Sequence, residues 1–217
     1  MTRAPRLALA LAGILAATVR VDDTAALTGA THRLAPDDPG WGELARDLRR
    51  QAGVTADFTE ERWFSFKRTP TVLHGEVRVS AEHGLSLHYL DPGEQIVIID
   101  ERGSLLRSAA GDRAPPADPR SGAANLALLH LLRLDLDLLA RDFELYGRRT
   151  GAAWEIVLVP RDDDLRRALG QIDVEGEGAA VRRIELRRSA AQRVEITITA
   201  PRTTGAFTAE EIRRFFR

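Results

Sequence analysis

From residue 54 onward the apolar side chains recur at every second position, and they keep that period through most of the chain. No other feature restricts the fold as much. Period-2 segments broken by tight turns bury their apolar residues on one face of an antiparallel sheet and leave the other face polar. Val54, Ala56 and Phe58 share one face, and Phe64 and Phe66 keep the same parity across Glu60 and Arg62. Leu73, Gly75, Val77 and Val79 then alternate against His74, Glu76, Arg78 and Ser80. Gly84 opens a third segment with Leu85, Leu87 and Tyr89 in register. Asp91-Pro92-Gly93-Glu94 has proline and glycine where a tight turn needs them. A β-branched run at 95–100, a turn at Glu101-Arg102-Gly103 and a return at 104–107 complete a meander.

Prolines 115, 116 and 119 exclude a central strand around residues 108–121. The stretch 123–140 follows, with Leu126, Leu128, Leu129, Leu131, Leu132, Leu134, Leu136, Leu138 and Leu139 nearly all round a helix, or a pair of helices divided near Asp135. A helix apolar on all sides must be covered on most of them, and Arg133, Asp135 and Asp137 interrupt it too often for a membrane span. Strand grammar then returns at 143–149, 154–160, 172–175, 181–186 and 193–199, for about ten strands in all. A short helix begins at Asp162-Asp163-Asp164. Thr208 and Glu211 form a capping box that opens a terminal helix. Upstream, Trp41, Leu44, Ala45 and Leu48 mark an amphipathic helix. There is no internal repeat. The expectation is a mainly β, α+β single domain over 41–217, preceded by a linker at 27–40.

Arg3 and Arg6 precede a small and apolar run at 7–19, the pattern of an export leader within residues 1–26. The run is too short to cross a bilayer comfortably. The expected location is therefore the periplasm. A net charge of −1 gives no sign of nucleic acid, and the local cluster Arg182, Arg183, Arg187 and Arg188 fits the solvated face of a strand. The absence of cysteine excludes thiol catalysis, disulfides and zinc–thiolate sites.

No constellation for catalysis emerges. His32, His74, His83, His88 and His130 lack metal-ligand spacing and fit solvated surface positions. Asp162 to Asp164 fit acids at a helix N-terminus better than a cation loop, and Gly176 and Gly178 are followed by no helix that would cradle phosphate. No serine sits in a Gly-x-Ser-x-Gly elbow, and Glu60 and Glu61 point to opposite faces of a strand. No enzyme activity, cofactor or metal is expected. What remains is apolar surface. A curled sheet with helices over its mouth encloses either a concave apolar cavity or a core filled by its own side chains.

The order of segments also resembles a known family. Ala56-Asp57-Phe58-Thr59-Glu60-Glu61-Arg62, Leu73-His74-Gly75-Glu76-Val77, Leu87-His88-Tyr89-Leu90-Asp91-Pro92-Gly93-Glu94 and Val97-Ile98-Ile99-Asp100-Glu101-Arg102-Gly103 follow one another as in the LolA-like outer-membrane lipoprotein carriers. The likeness runs from about residue 41 to 200. It implies an unclosed β-barrel with an α-helical lid, which receives acyl chains from an inner-membrane release complex and hands them to an outer-membrane acceptor. In that family an Arg-Pro pair before the aromatic strand helps latch the lid; here Ser80-Ala81-Glu82-His83 holds the place.

The two lines of reasoning together give a monomeric carrier for the acyl chain of a lipoprotein or glycolipid. Phe58, Phe64, Val77, Val79, Leu87, Tyr89, Ile196 and Ile198 are expected to line the concave face, and Leu128, Leu129 and Leu132 to form the lid. Two alternatives stand beside it: an envelope scaffold with a filled core and a protein partner, and a hydrolase built around His130 and Asp135.

Overall fold

A computed structural model describes residues 32–35, 38–114 and 119–217. The expected leader lies outside the described residues. In chain order the elements are β1 (His32–Arg33), α1 (Pro39–Arg49), β2 (Gly53–Trp63), β3 (Thr71–Ser80), β4 (Gly84–Tyr89), β5 (Gln95–Asp100), β6 (Gly103–Ser108) and β7 (Gly111–Arg113). They continue with α2 (Pro119–Leu132), α3 (Leu136–Asp142), β8 (Phe143–Thr150), β9 (Ala153–Pro160), α4 (Asp163–Leu169), β10 (Gln171–Glu177), β11 (Ala180–Ser189), β12 (Gln192–Thr204) and α5 (Ala209–Phe215).

Among the described residues, twelve strands form one antiparallel sheet in the order β1-β8-β9-β10-β11-β12-β2-β3-β4-β5-β6-β7. The two ends of that order do not pair, so the barrel is unclosed. The two strands beyond the ten expected are β1 and β7, two and three residues long. β1 arises inside the stretch expected as a linker: His32 and Arg33 pair with Gly147 and Tyr146 of β8.

The concave face carries one continuous core. Ala56, Phe58, Leu73, Val77, Leu85, Leu87, Ile99, Leu145, Ile156, Leu158, Ile184 and Ile196 all reach it from the strands. α1 covers one flank, with Trp41 edge-on to Trp154 at 6.5 Å. Its start is set by Asp38, whose carboxylate accepts from the Gly40 and Trp41 N–H groups. α2 and α3 cross the mouth, α2 touching β5, β6 and α4. The break between them falls where Asp135 caps α3 and Leu134 takes a left-handed backbone with φ of 47°. α4 closes the remaining side, started by Asp162.

α5 goes elsewhere. Phe207, Phe215 and Phe216 pack on Ile96 and Ile98 of β5, which point away from the concave core. A second, smaller core therefore lies on the convex face, opposite the helices of the mouth. This placement corrects the expectation that His88 is solvated. His88 is buried beneath Phe215, 5.5 Å between ring centres, with Nε2 2.9 Å from Glu94. The arginines of β11 are not a free basic face either. Arg183 bonds Glu175, Glu185 and Glu195, and Arg187 bonds Glu185 and Asp173.

Candidate functional site

Where α2 meets the middle of the sheet, the packing leaves a small apolar cavity. It is lined by Phe58 of β2, Val77 of β3, Leu87 of β4, Ile184 of β11, Ile196 and Ile198 of β12, and Leu128 and Leu132 of α2. Each strand contributes through alternation: Phe58 sits opposite Ile198 in the β2–β12 ladder, and Val77 opposite Leu87 in the β3–β4 ladder. Leu128 and Leu132 are one helical turn apart and so present one face of α2. The free space is only about 10 Å³, roughly the room for one water. The six sheet residues form the floor, and the two leucines of α2 close the space over them.

The other residues expected here lie as follows. Tyr89 is buried on the concave face beside the cavity, its ring edge-on to Phe58 at 5.2 Å. Gly75, opposite Tyr89 in the ladder, makes this contact possible, since a Cβ there would lie 2.7 Å from the Phe58 ring. Val79 is half-buried against the same core but does not line the space. Leu129 is fully buried in α2, also away from the space. Phe64 is displaced. The chain leaves the sheet at Trp63, so parity no longer governs it, and Phe64 stacks on Phe66 in the β2–β3 connection.

A polar cluster that hydropathy hides sits at the end of this floor. Glu60 and Arg62 keep the parity of Ala56 and Phe58 and are both buried. Arg62 Nε donates to Glu60 Oε1 at 2.5 Å, and the Tyr89 hydroxyl donates to Glu60 Oε2 at 2.6 Å. Burial works against the Arg62 charge, but the adjacent Glu60 carboxylate outweighs it and holds the guanidinium pKa above its ordinary value. Burial, reinforced by Glu60, pushes the Tyr89 phenol well up. The pair is neutral as a unit, and its signal in the sequence was the unbroken parity itself.

The end of α2 has a polar fastening. Arg133, just past the end of α2, donates from Nη2 to the carbonyls of Ser80 at 3.1 Å and Ala81 at 3.2 Å, and from Nη1 to Glu101 at 3.3 Å. The β3–β4 turn, where the resemblance would have placed an Arg-Pro pair, supplies acceptors, and the residue after the helix supplies the cation. Of the pair His130 and Asp135, the histidine's Nδ1 is buried without a hydrogen-bond partner among the described residues. The Asp135 carboxylate accepts from the Leu138 N–H as a helix cap.

Among the described residues there is no group of histidines and acids that could hold a metal ion, and no helix long and apolar enough to cross a membrane. No curated protein matches the chain. Among solved structures, an uncharacterized conserved protein from Thermus thermophilus superposes with a TM-score of 0.46 at 11% identity, covering 80% of this chain and 93% of that one. A LolA superfamily protein from Nitrosomonas europaea gives 0.44 at 7% identity, covering 82% and 96%. A putative outer membrane lipoprotein-sorting protein domain from Vibrio parahaemolyticus gives 0.40 at 7% identity, covering 79% and 95%. The family described as outer membrane lipoprotein carrier protein LolA-like matches residues 35–215, and this chain belongs to that family.

Proposed function

We propose that this chain is a non-enzymatic periplasmic carrier, which takes the acyl chain of a lipoprotein or other acylated lipid into the space now held by Leu128 and Leu132. It would receive that chain from an inner-membrane release complex and pass it to an outer-membrane acceptor. The observation that carries the reading is the way the concave face is closed. Over the cavity the cover is a single helix, inserted by two leucines and fastened at its end by Arg133 to backbone carbonyls. Sites for small ligands enclose roughly 300–1,000 Å³, so an acyl chain enters only as α2 lifts away. About 14 methylenes at about 0.8 kcal/mol each give about 11 kcal/mol gross. Exposing two leucines offsets about 3–6 kcal/mol of it, at about 1.5–3 kcal/mol each. Loading is then favourable yet reversible, as transfer requires.

The tightness of the space favours one other reading, a scaffold whose core is simply full. An environment-sensitive apolar dye separates the two. A carrier binds about one dye per chain, and a fatty acid displaces it; a scaffold shows no saturable, displaceable binding at any lipid concentration.

A further inference from the structure

We propose that the connection between β2 and β3 is a membrane-docking tip that seats on an anionic lipid surface. Residues 64–70 leave the sheet at Trp63 and rejoin it at Thr71. The Lys67 N–H donates to the Phe64 carbonyl at 3.0 Å, closing a tight turn. That turn stacks the rings of Phe64 and Phe66, 5.3 Å apart at their centres and 25° from parallel. A stacked aromatic pair ordinarily marks a core, yet Phe66 is 83% exposed. Val72 and Leu90 are the other large apolar residues left exposed among the described ones, and both sit at this same end of the sheet. Val72 follows the tip on β3. Leu90 follows β4, its N–H donating to the His74 carbonyl at 3.0 Å.

The charges around the tip select the occupant. Lys67, the only lysine of the chain, and Arg68 are exposed directly beside Phe66. The Lys67 amino group donates to Thr71 Oγ1 at 2.8 Å, which folds its stem back along the turn. Arg193 stands opposite Trp63 at the base, its guanidinium 4.4 Å from the indole centre. The acids at this end are Asp91 and Glu94 in the adjoining β4–β5 turn, Glu94 engaged by His88 and Arg214, and Glu61, opposite Val72 in the β2–β3 ladder; the turn at 64–70 itself carries only the two cations. An aromatic tip with cations at its shoulders matches a bilayer interface, where the ring enters the headgroup boundary and the cations stay with the phosphates. A protein partner fits less well. Two rings of about 150–250 Å² each, with half-exposed Val72 and Leu90, fall short of the roughly 800 Å² per partner of a stable interface. The tip also lies at the end of the floor where Glu60, Arg62 and Tyr89 sit, so docking brings that end of the concave face to the lipid.

The test is independent of the carrier reading, because it follows the tip and not the cavity. The chain has no cysteine, so Ser65→Cys places one environment-sensitive dye at the tip of the full chain. Glu82→Cys places another in the turn at the far end of β3 as a control. Phosphatidylcholine vesicles containing phosphatidylglycerol should shift the dye at 65 to shorter wavelength and leave the dye at 82 unchanged. Phe66→Ser should weaken the response about ten-fold, and Lys67→Gln and Arg68→Gln about five-fold each, with salt abolishing the rest. The melting temperature should stay at the parent value, since Phe66 is solvent-facing. No shift with these vesicles, an equal shift at both labels, or a shift indifferent to Phe66→Ser overturns the proposal. A shift that needs only higher protein concentration also overturns it, assigning the patch to a second copy.

Discussion

Shortening Leu128 tests the lid most directly. The Leu128→Ala change removes three carbons from a nearly closed apolar space, worth about 2.4 kcal/mol at about 0.8 kcal/mol per group. A residual cavity adds to that, and Leu→Ala in a rigid core costs about 2–5 kcal/mol in all. For a domain of this size the melting temperature should fall by roughly 4–20 °C, at about 2–4 °C per kcal/mol. The carrier reading adds a second consequence. In the parent an acyl chain must expose Leu128 before it can bind, because a ligand shifts an equilibrium only by its differential affinity for the two states. Without that side chain the opposition drops by up to the same 2.4 kcal/mol, so affinity should rise about ten-fold and by no more than about fifty-fold. Displacement of a fluorescent fatty-acid analogue, measured beside thermal unfolding, reads both quantities on one sample. A lower melting temperature with unchanged or weaker acyl binding refutes the reasoning and leaves a filled core.

Two further changes probe how the helices are held. Arg133→Ala removes the bonds to Ser80, Ala81 and Glu101 and should cost about 1–2 kcal/mol; amide exchange in α2 should quicken while the central strands stay protected, and the loss should survive added salt, because two of the three acceptors are carbonyls. The second concerns α5: hydrogen bonds from Arg217, and also from Arg102, hold the Asp100 carboxyl well below the usual range against the opposing effect of burial. A depressed folded-state pKa gives stability that is complete above the unfolded value of about 4 and lost as pH falls below it. Denaturant unfolding of the parent should therefore weaken more steeply than that of Asp100→Asn between neutral and acid pH; equal slopes would remove this pair from the account.

Much of this architecture was legible because alternation is a local signal. Every strand of five residues or more follows from side-chain parity and a turn, as does the break before α3, where Asp135 stands among leucines. The capping box of Thr208 and Glu211 likewise announced α5. Three kinds of feature stayed hidden. Glu60 and Arg62 look like solvent positions one residue at a time, and only their mutual neutralisation, with Tyr89 as a third partner, makes burial tolerable. Phe64 shows the opposite error, since parity carries no information once the chain leaves the ladder. His88 is buried by Phe215, 127 residues downstream, and no pattern within a seven-residue helix states which face of a sheet it will cover. The hold on the end of α2 was not legible for a related reason. Ser80-Ala81-Glu82-His83 shows only that the resemblance's arginine is missing, whereas a backbone turn accepts hydrogen bonds whatever its side chains are.

A closed barrel has its girth set by strand number and stagger. This sheet runs unbroken from β1 to β7 and still has a seam, because those two strands never meet. A change of curvature therefore need not part any ladder, and the packing of the interior helps set its width. On the carrier reading, Leu128 and Leu132 give way to the acyl chain, and bulkier or branched contents would set another width. An open seam usually invites a neighbouring chain to add a strand, but edges of two and three residues offer too short a template. A sheet of this kind can change its girth while giving its neighbours almost nothing to hold.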